Sequence, residues 1–535
     1  MTIKYSRFGR LLSTMAVTAV VLAGCANTTA GEDDQSGQAD STSVPRGVVG
    51  DQGDPGTPTK GGTLSFASYS PVTNLDPAKT QGAGPTGGTE MAAVYDVLMR
   101  YDADSQTFVP QIAQSLEESA DRSTWTLTLR PDVRFSDGTP FDADAVVASI
   151  ERYNDNRGLY SQLFTEIVQS VTAKDSSNVE FKLNRAWSNF PAILCYGHGM
   201  IVAPSAQQGD TFTPIGAGPF SVVKLLPQQE LELKARPDYW GGEPNLDGLK
   251  FVAVAGEQAK IETLRTGGVQ AIYLRNAATV NAAKEEFPGF IEAHSQAMIG
   301  QINQAPGRPG ADRRVRQAMA YALDPTVLNQ RARDGQGMPG TDLFQPWSQW
   351  HGAETGVTPE AARAEQLVDQ AKKDGFDGKV TYVSINDPDA QKLALAIQAQ
   401  LNSVGFDTSI EYTNSAPDMI RRVYVDRDFD LAHGAYNASD IDPEIRMFNA
   451  MHSKANNLVG LADPKADSLL AALLSAPDAE TKKQAINDIQ TYVNEEQPFL
   501  AWGASNTYVA WSPNVFRMNP SIDHIMLFDK AFIRD

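Results

Sequence analysis

Cysteine is almost missing from this chain: Cys25 and Cys195 are the only two among 535 residues. A disulfide framework and a paired-cysteine metal cage find no support. Cys195 sits in Phe190-Pro-Ala-Ile-Leu-Cys195, where a small buried hydrophobe is expected. Histidine is equally sparse. His198, His294, His351, His433, His452 and His524 stand singly, without an H-E-x-x-H pair, so no metal site is expected. Gly82-Ala-Gly-Pro-Thr-Gly87 satisfies G-x-G-x-x-G on paper, but Pro85 lies inside it and Asp76-Pro77 precedes it. A dinucleotide site needs a strand before and a helix opening on the glycines. A glycine-rich loop leading into a helix near Glu90–Arg100 is expected instead, and no cofactor. No G-x-S-x-G elbow occurs; Gly503-Ala-Ser-Asn-Thr507 fails at its last position. No catalytic residue is assigned, although a secreted hydrolase built from distant groups stays open.

Positive charge is also in deficit. Lys and Arg number 45 against 65 Asp and Glu, a formal charge of −20. Such a surface repels nucleic acid and anionic headgroups, which argues against direct binding to either. Long apolar runs are absent with one exception. Lys4, Arg7 and Arg10 precede an uncharged, mostly apolar run from Leu11 to Gly24, the layout of a secretory leader and too short for an ordinary membrane span. It ends in Leu22-Ala23-Gly24-Cys25, which resembles the bacterial lipobox. The resemblance implies cleavage before Cys25 and lipidation of its sulfur, and several acyl chains hold where one would not. Ala26 to Lys60 has few large apolar residues and is expected to be a flexible tether, with a reach of roughly 30–35 Å for such a coil.

A chain this long exceeds one core, so two or more domains are expected. Its clearest local stretch is Trp125 to Phe141. Trp125, Leu127 and Leu129 alternate with Thr126, Thr128 and Arg130, one face of a half-buried strand. Pro131 ends the pairing and Asp137-Gly138 supplies a turn. Asp142 is placed to cap a helix from Ala143, with Phe141 and Val146 at the positions of a hydrophobic staple. From about Gln301 helices and strands alternate, as in a sheet covered by helices. Asp312, Asp324, Thr358-Pro359 and Asp387-Pro388 start helices, and Lys379–Ile385 and Phe406–Tyr412 read as strands.

The wording of Trp125–Phe141 resembles the signature of the extracellular solute-binding proteins of family 5, the peptide- and nickel-type receptors of ABC importers. Pro214-Ile-Gly-Ala-Gly-Pro-Phe220, the strand ending in Asp238-Tyr-Trp-Gly-Gly242, and Arg313–Asp324 resemble further blocks of that family. The resemblance implies an α/β, two-lobed fold of the periplasmic-binding-protein type II, hinged between lobes. It places lobe 1 at 61–298 with an extra subdomain at about 78–210, lobe 2 at 299–503, and a return to lobe 1 at 504–535. The leader would be 1–24, and 25–60 the lipidated cysteine and tether. Function would be capture of oligopeptides or dipeptides in the interlobe cleft and delivery to a membrane permease. An oligosaccharide, a nickel chelate or an opine is the alternative ligand. The implied protein is not an enzyme. It is expected to be a monomer on the outer face of the cell membrane, touching the bilayer through lipid alone. Asp440 most resembles the acid that pairs with a peptide's free amine, and Tyr436 and Asn437 are placed to face the cleft. Trp347 and Trp350 could stack on a ligand or anchor their own loop, and Asp440 and Asp442 are also placed to cap a helix at Pro443.

Overall fold

The computed structural model describes residues 46–534 apart from 415, 456–459 and 461; the leader, Cys25 and residues 26–45 lie outside them. Local chemistry sets the elements. In the strand Thr124–Leu129 the three large apolar residues are buried and the threonines between them half-buried. Gly138 turns the chain at φ +85°. The Asp142 carboxylate then accepts a hydrogen bond from the Ala145 N–H (2.9 Å) and opens the helix Ala143–Asp155. Phe141 and Val146 are buried on either side of that cap. Asp312, Asp324 and Asp387 likewise cap Arg313–Ala322, Pro325–Arg333 and Pro388–Ser403. One helix is shorter than the sequence predicts: Thr89–Tyr95 stops at Asp96, whose φ is +60°, and Met99–Asp102 is a strand. The Asp96 carboxylate accepts from Tyr239 Oη–H (2.7 Å) and Trp240 Nε1–H (3.0 Å), which fixes the stop from a distant block.

One large mixed sheet runs through the molecule. Its main path begins with Phe220–Leu226, Glu230–Ala235, Gly248–Val252, Thr63–Ala67 and Ala271–Leu274. It continues through the long strands Phe499–Trp511 and Gly289–Ile302 to Leu431–Gly434, Lys379–Ile385 and Asp407–Thr413. The two long antiparallel strands belong to both ends of the sheet. Residues 289–294 pair with 505–510 on the lobe 1 side, 298–301 pair with 499–503 on the lobe 2 side, and the register breaks between His294 and Met298. Gln296, at the break, has φ +51°. A third crossing segment lies against it: Ser295 and Ala438 exchange backbone hydrogen bonds of 2.8 and 2.9 Å. Separate hydrophobic cores form on the two sides, one around Leu64, Phe251 and Trp511, another around Val315, Tyr382 and Ile397.

A four-stranded antiparallel sheet of Ala113–Glu118, Thr124–Leu129, Asn178–Leu183 and Val168–Ala173 carries the helices Ala143–Asp155 and Ser161–Ile167. It reaches across to the other lobe. Trp187 Nε1–H donates to Glu444 Oε1 (3.3 Å), Asn189 Nδ2–H to the Ile441 carbonyl (2.9 Å), and Lys454 Nζ lies 2.6 Å from Glu166.

The tether expected to run to Lys60 stops earlier. Gly47–Val49 adds to the strand Gly289–Ile302 by pairing with Gly289–Ile291, and Gln52 and Thr59 donate to the carbonyls of Val515 and Ile533. Sheet-edge pairing gives this polar stretch the order that its composition could not.

The block Pro214–Phe220 passes against the end of the helix Thr89–Tyr95, and Gly218 N–H donates to Val94 O (2.9 Å). A Cβ on Gly216 would stand 2.3 Å from Val94 O and 2.7 Å from Tyr95 Cα. Gly216→Ala is expected to cost about 1–3 kcal/mol, read as a lower urea midpoint at unchanged slope.

Candidate solute-binding cleft

Between the lobes lie two adjoining chambers of about 410 and 560 Å³, both bordered by Tyr69, Arg275 and Ala435. Each is of a size that encloses a small solute. The first is walled by the loop Ala83–Thr86 and by Arg157–Tyr160 from lobe 1, and by Tyr436, Asn437 and Arg446 from the other side, with Asp523 at its edge. The glycine-rich stretch is therefore cleft wall. Gly84 allows the approach, since a Cβ there would collide with the Asp523 carbonyl, and its N–H donates to Asp523 Oδ2 (3.3 Å). The second chamber is lined by Glu257 and Asn276 from lobe 1 and by Arg333, Asp387, Asp389 and His433 from lobe 2.

The first chamber is basic, with Arg157, Arg275 and Arg446 against Asp523, while the second sets Arg275 and Arg333 against Glu257, Asp387 and Asp389. Arg275 follows the strand Ala271–Leu274 and touches both chambers. Its Nη2–H donates to Asn437 Oδ1 (2.9 Å) and its guanidinium lies 5.4 Å from the centroid of the Tyr69 ring. Among the described residues it forms no ion pair, and neither do Arg157 and Arg333. A guanidinium stays charged throughout the accessible pH range and carries five donors in a fork that matches a carboxylate. The Tyr436 hydroxyl and His433 Nδ1 are buried without hydrogen-bond partners.

Beneath the first chamber lies a buried polar network at the break between lobes. Arg446 Nη2 is 3.0 Å from Asp523 Oδ2 and 3.2 Å from Tyr196 Oη, which donates to Asp442 Oδ2 (2.8 Å). His294 Nε2 is 3.6 Å from Asp523 Oδ1, and Arg46 Nε is 3.7 Å from Glu292 Oε1. Burial pushes the Asp442 carboxyl up to about 7 against the pull of Arg446, and lowers His294 and His524 to about 4, leaving both imidazoles neutral. Burial alone would raise Asp523, but Arg446 outweighs it and holds it below its ordinary value.

Of the residues picked out in the sequence, Tyr436 and Asn437 line the first chamber. Asp440, Trp347 and Trp350 line neither chamber. The Asp440 carboxylate is engaged by the loop of those tryptophans, accepting from Ser348 Oγ–H (2.5 Å) and the Gln349 N–H (3.1 Å). Trp350 is a loop anchor: it is buried in the core of Ile299, Met447 and Phe499, and its Nε1–H donates to the Asp440 carbonyl (2.8 Å). Trp347 is half-buried in the same loop. Asp442 occupies the cap position of Pro443–Met451, yet its side chain makes no cap hydrogen bond and turns to Tyr196 instead. Arg157, Arg275, Arg333, Arg446 and Asp523 carried no motif; they meet only because distant segments converge.

Two lobes joined by crossing strands, with a polar cleft between them, define the architecture of a solute-binding protein. The chain belongs to the bacterial extracellular solute-binding proteins, family 5, whose "Middle" model matches residues 107–457. It is 25% identical over 461 residues to the nickel-binding periplasmic protein of Escherichia coli, covering 80% of this chain and 86% of that protein. It is 24% identical over 377 residues to the dipeptide-binding protein of the same organism, covering 63% and 70%. The structure of the PBP AgaA of A. tumefaciens R10 in complex with agropinic acid superposes with a TM-score of 0.75 at 22% identity, over 89% of this chain and 99% of that one. These matches establish the two-lobed fold and a solute-binding rather than enzymatic family. Among the described residues no helix is long and apolar enough to cross a membrane.

Asp442 keeps its proton in the folded chain up to about pH 7, whereas an ordinary aspartate loses it near 3.8. The folded state therefore binds more protons between those values, and stability falls as pH rises through them, by at most about 1.4 kcal/mol per pH unit for one group. Glu90 and Asp96, also raised to about 7 by burial, carry the same sign. Asp442→Asn is expected to flatten part of that slope, measured as urea midpoints at pH 5 and pH 8; an unaltered slope would show that Asp442 does not carry it.

Proposed function

We propose that this protein is the lipid-anchored solute receptor of an ABC importer, and that its cleft takes a short peptide through the peptide's carboxylate. The observation that carries this reading is Arg275, an unpaired guanidinium bordering both chambers, flanked by Tyr69 and Asn437. A cation held this way gains most from a ligand that brings the missing carboxylate as a bidentate partner. In the second chamber Asp387 would receive the amine end, since its cap hydrogen bonds use Oδ1, whereas Glu257 is taken up by Thr279 and Asn276, and Asp389 by Asn276 and Lys392. Lobe 1 (61–298 and 504–535) and lobe 2 (299–503) would close about the break at Ser295–Ala297 and present the closed form to a permease. Cys25 would carry the lipid that keeps a monomeric receptor on the outer face of the membrane.

A second reading, a non-peptide carboxylate such as an opine, is favoured by Asp440. The acid expected to hold a peptide's amine is already engaged by Ser348 and Gln349.

Calorimetric titration of the full chain with di- to pentapeptides, free, N-acetylated and C-amidated, tests both. Binding is expected to require the free carboxylate, and Arg275→Ala should cost about 2–5 kcal/mol. Binding only by non-peptide acids would favour the second reading, and carboxylate-independent binding untouched by Arg275→Ala would reject both. For the anchor, detergent phase partitioning of the protein expressed in a bacterium should place the wild type in the detergent phase and Cys25→Ser in the aqueous phase. Equal partitioning would count against lipidation.

A further inference from the structure

We propose that Glu292, His294 and His524 form a binding site for one late first-row divalent cation, such as Zn²⁺, Ni²⁺ or Co²⁺, inside the hinge beneath the cleft. One ligand atom from each of the three lies within 4.8 Å of the other two, and the residues are at most 2% exposed. The site is incomplete as a hydrogen-bond network. Neither ring nitrogen of His294 has a hydrogen-bond partner, and neither has Glu292 Oε2. Buried polar atoms left in this way are costly, and a single cation would satisfy them together.

The topology presents the donors. Glu292 and His294 are two residues apart on the strand Gly289–Ile302 and so project from one face of it. His524 comes from the C-terminal return, and His294 and His524 have ring centroids 5.4 Å apart. Thr507 Oγ1 lies 2.5 Å from His524 Nε2 and donates to the Glu292 carbonyl (3.2 Å), placing a polar group behind the ligands on the side away from His524 Nδ1. Asp523 Oδ1, 3.6 Å from His294 Nε2, is available as a fourth ligand. Three donors each about 2.1 Å from one ion stand roughly 3.4–3.6 Å apart, the separation already shown by His524 Nδ1 and Glu292 Oε2 (3.6 Å), so a pair at the 4.8 Å limit would close by a little over about 1 Å.

Charge round the site is near balance. The carboxylates of Glu292 and Asp523 face the guanidiniums of Arg46 and Arg446, with Arg275 also acting on Asp523, while Asp440 is held by Ser348 and burial favours the protonated form of Asp442. Glu444, beside them, is neutralised by Lys482. Arg46 approaches Glu292 from Oε1, while Oε2 is turned toward His524 Nδ1 (3.6 Å). Two imidazoles with a carboxylate select late transition ions over Mg²⁺ or Ca²⁺, which prefer all-oxygen shells. The ion would tie the hinge strand to the C-terminal return, apart from the arginines that line the cleft.

The test uses the full chain, stripped with a chelator and then titrated with Zn²⁺ and with Co²⁺. The expected result is one ion retained per chain after dialysis, a raised thermal midpoint, and visible Co²⁺ absorption of a nitrogen-containing, low-coordinate site. His294→Gln and Glu292→Gln should each abolish retention, and Thr507→Val should weaken it about 10- to 100-fold. Arg275→Ala and Asp387→Asn should leave it intact. Substoichiometric retention by the wild type, or a weak all-oxygen Co²⁺ spectrum, overturns the proposal without recourse to any variant. So does retention that survives His294→Gln, or that is lost with Asp387→Asn and thus belongs to the cleft.

Discussion

Two paired strands hold the halves of this protein together, and the rule that buried backbone groups must be paired governs what they can do. Gly289–Ile302 and Phe499–Trp511 could form one uninterrupted ladder, and such a ladder would weld the lobes into a single stiff sheet. Instead the register fails between His294 and Met298. Carbonyls at the break are taken up by Tyr436–Ala438, whose N–H groups reach the carbonyls of Ser295 and Gln296. The crossing keeps backbone partners at Ser295 and Gln296 while its straightness is lost at one point. The same segment carries Tyr436 and Asn437 on the cleft wall, so the device that bends the sheet also positions the site.

The second constraint is electrostatic. A chain with a formal charge of −20 has acids to spare, yet Arg157, Arg275 and Arg333 reach its cleft without forming ion pairs among the described residues. Nearby Arg446 shows the alternative, an arginine buried with Asp442 and Asp523 for company. A paired guanidinium builds structure; an unpaired one is open to a partner from outside. That contrast, within a few residues of the same cleft, separates framework from site more sharply than residue type does.

Asp440 shows how far residue type alone can mislead. Its place in Ser439-Asp-Ile-Asp-Pro443 resembles that of a ligand-binding acid, but Ser348 and Gln349 reach it first. Trp350 of the same loop follows the same pattern, giving its ring to the core and its N–H to the Asp440 carbonyl. An acid and an aromatic in one loop read equally well as a site or as a latch, and only the third dimension tells which.

The sequence by itself determined the local elements and the family. Alternation, capping aspartates and turn glycines act over a few residues, so Thr124–Leu129, Ala143–Asp155 and the helices opened by Asp312, Asp324 and Asp387 were legible from spacing alone. Tertiary structure decided the rest. It ended the first helix at Asp96 through Tyr239 and Trp240, and drew Gly47–Val49 onto a strand that their composition did not foretell. It also assembled Arg275, Arg446 and Asp523 at one cleft, and Glu292, His294 and His524 at one point behind it. Hydrogen bonds between neighbours in the chain leave a signature in order and spacing, whereas charges and imidazoles brought together from distant segments leave none.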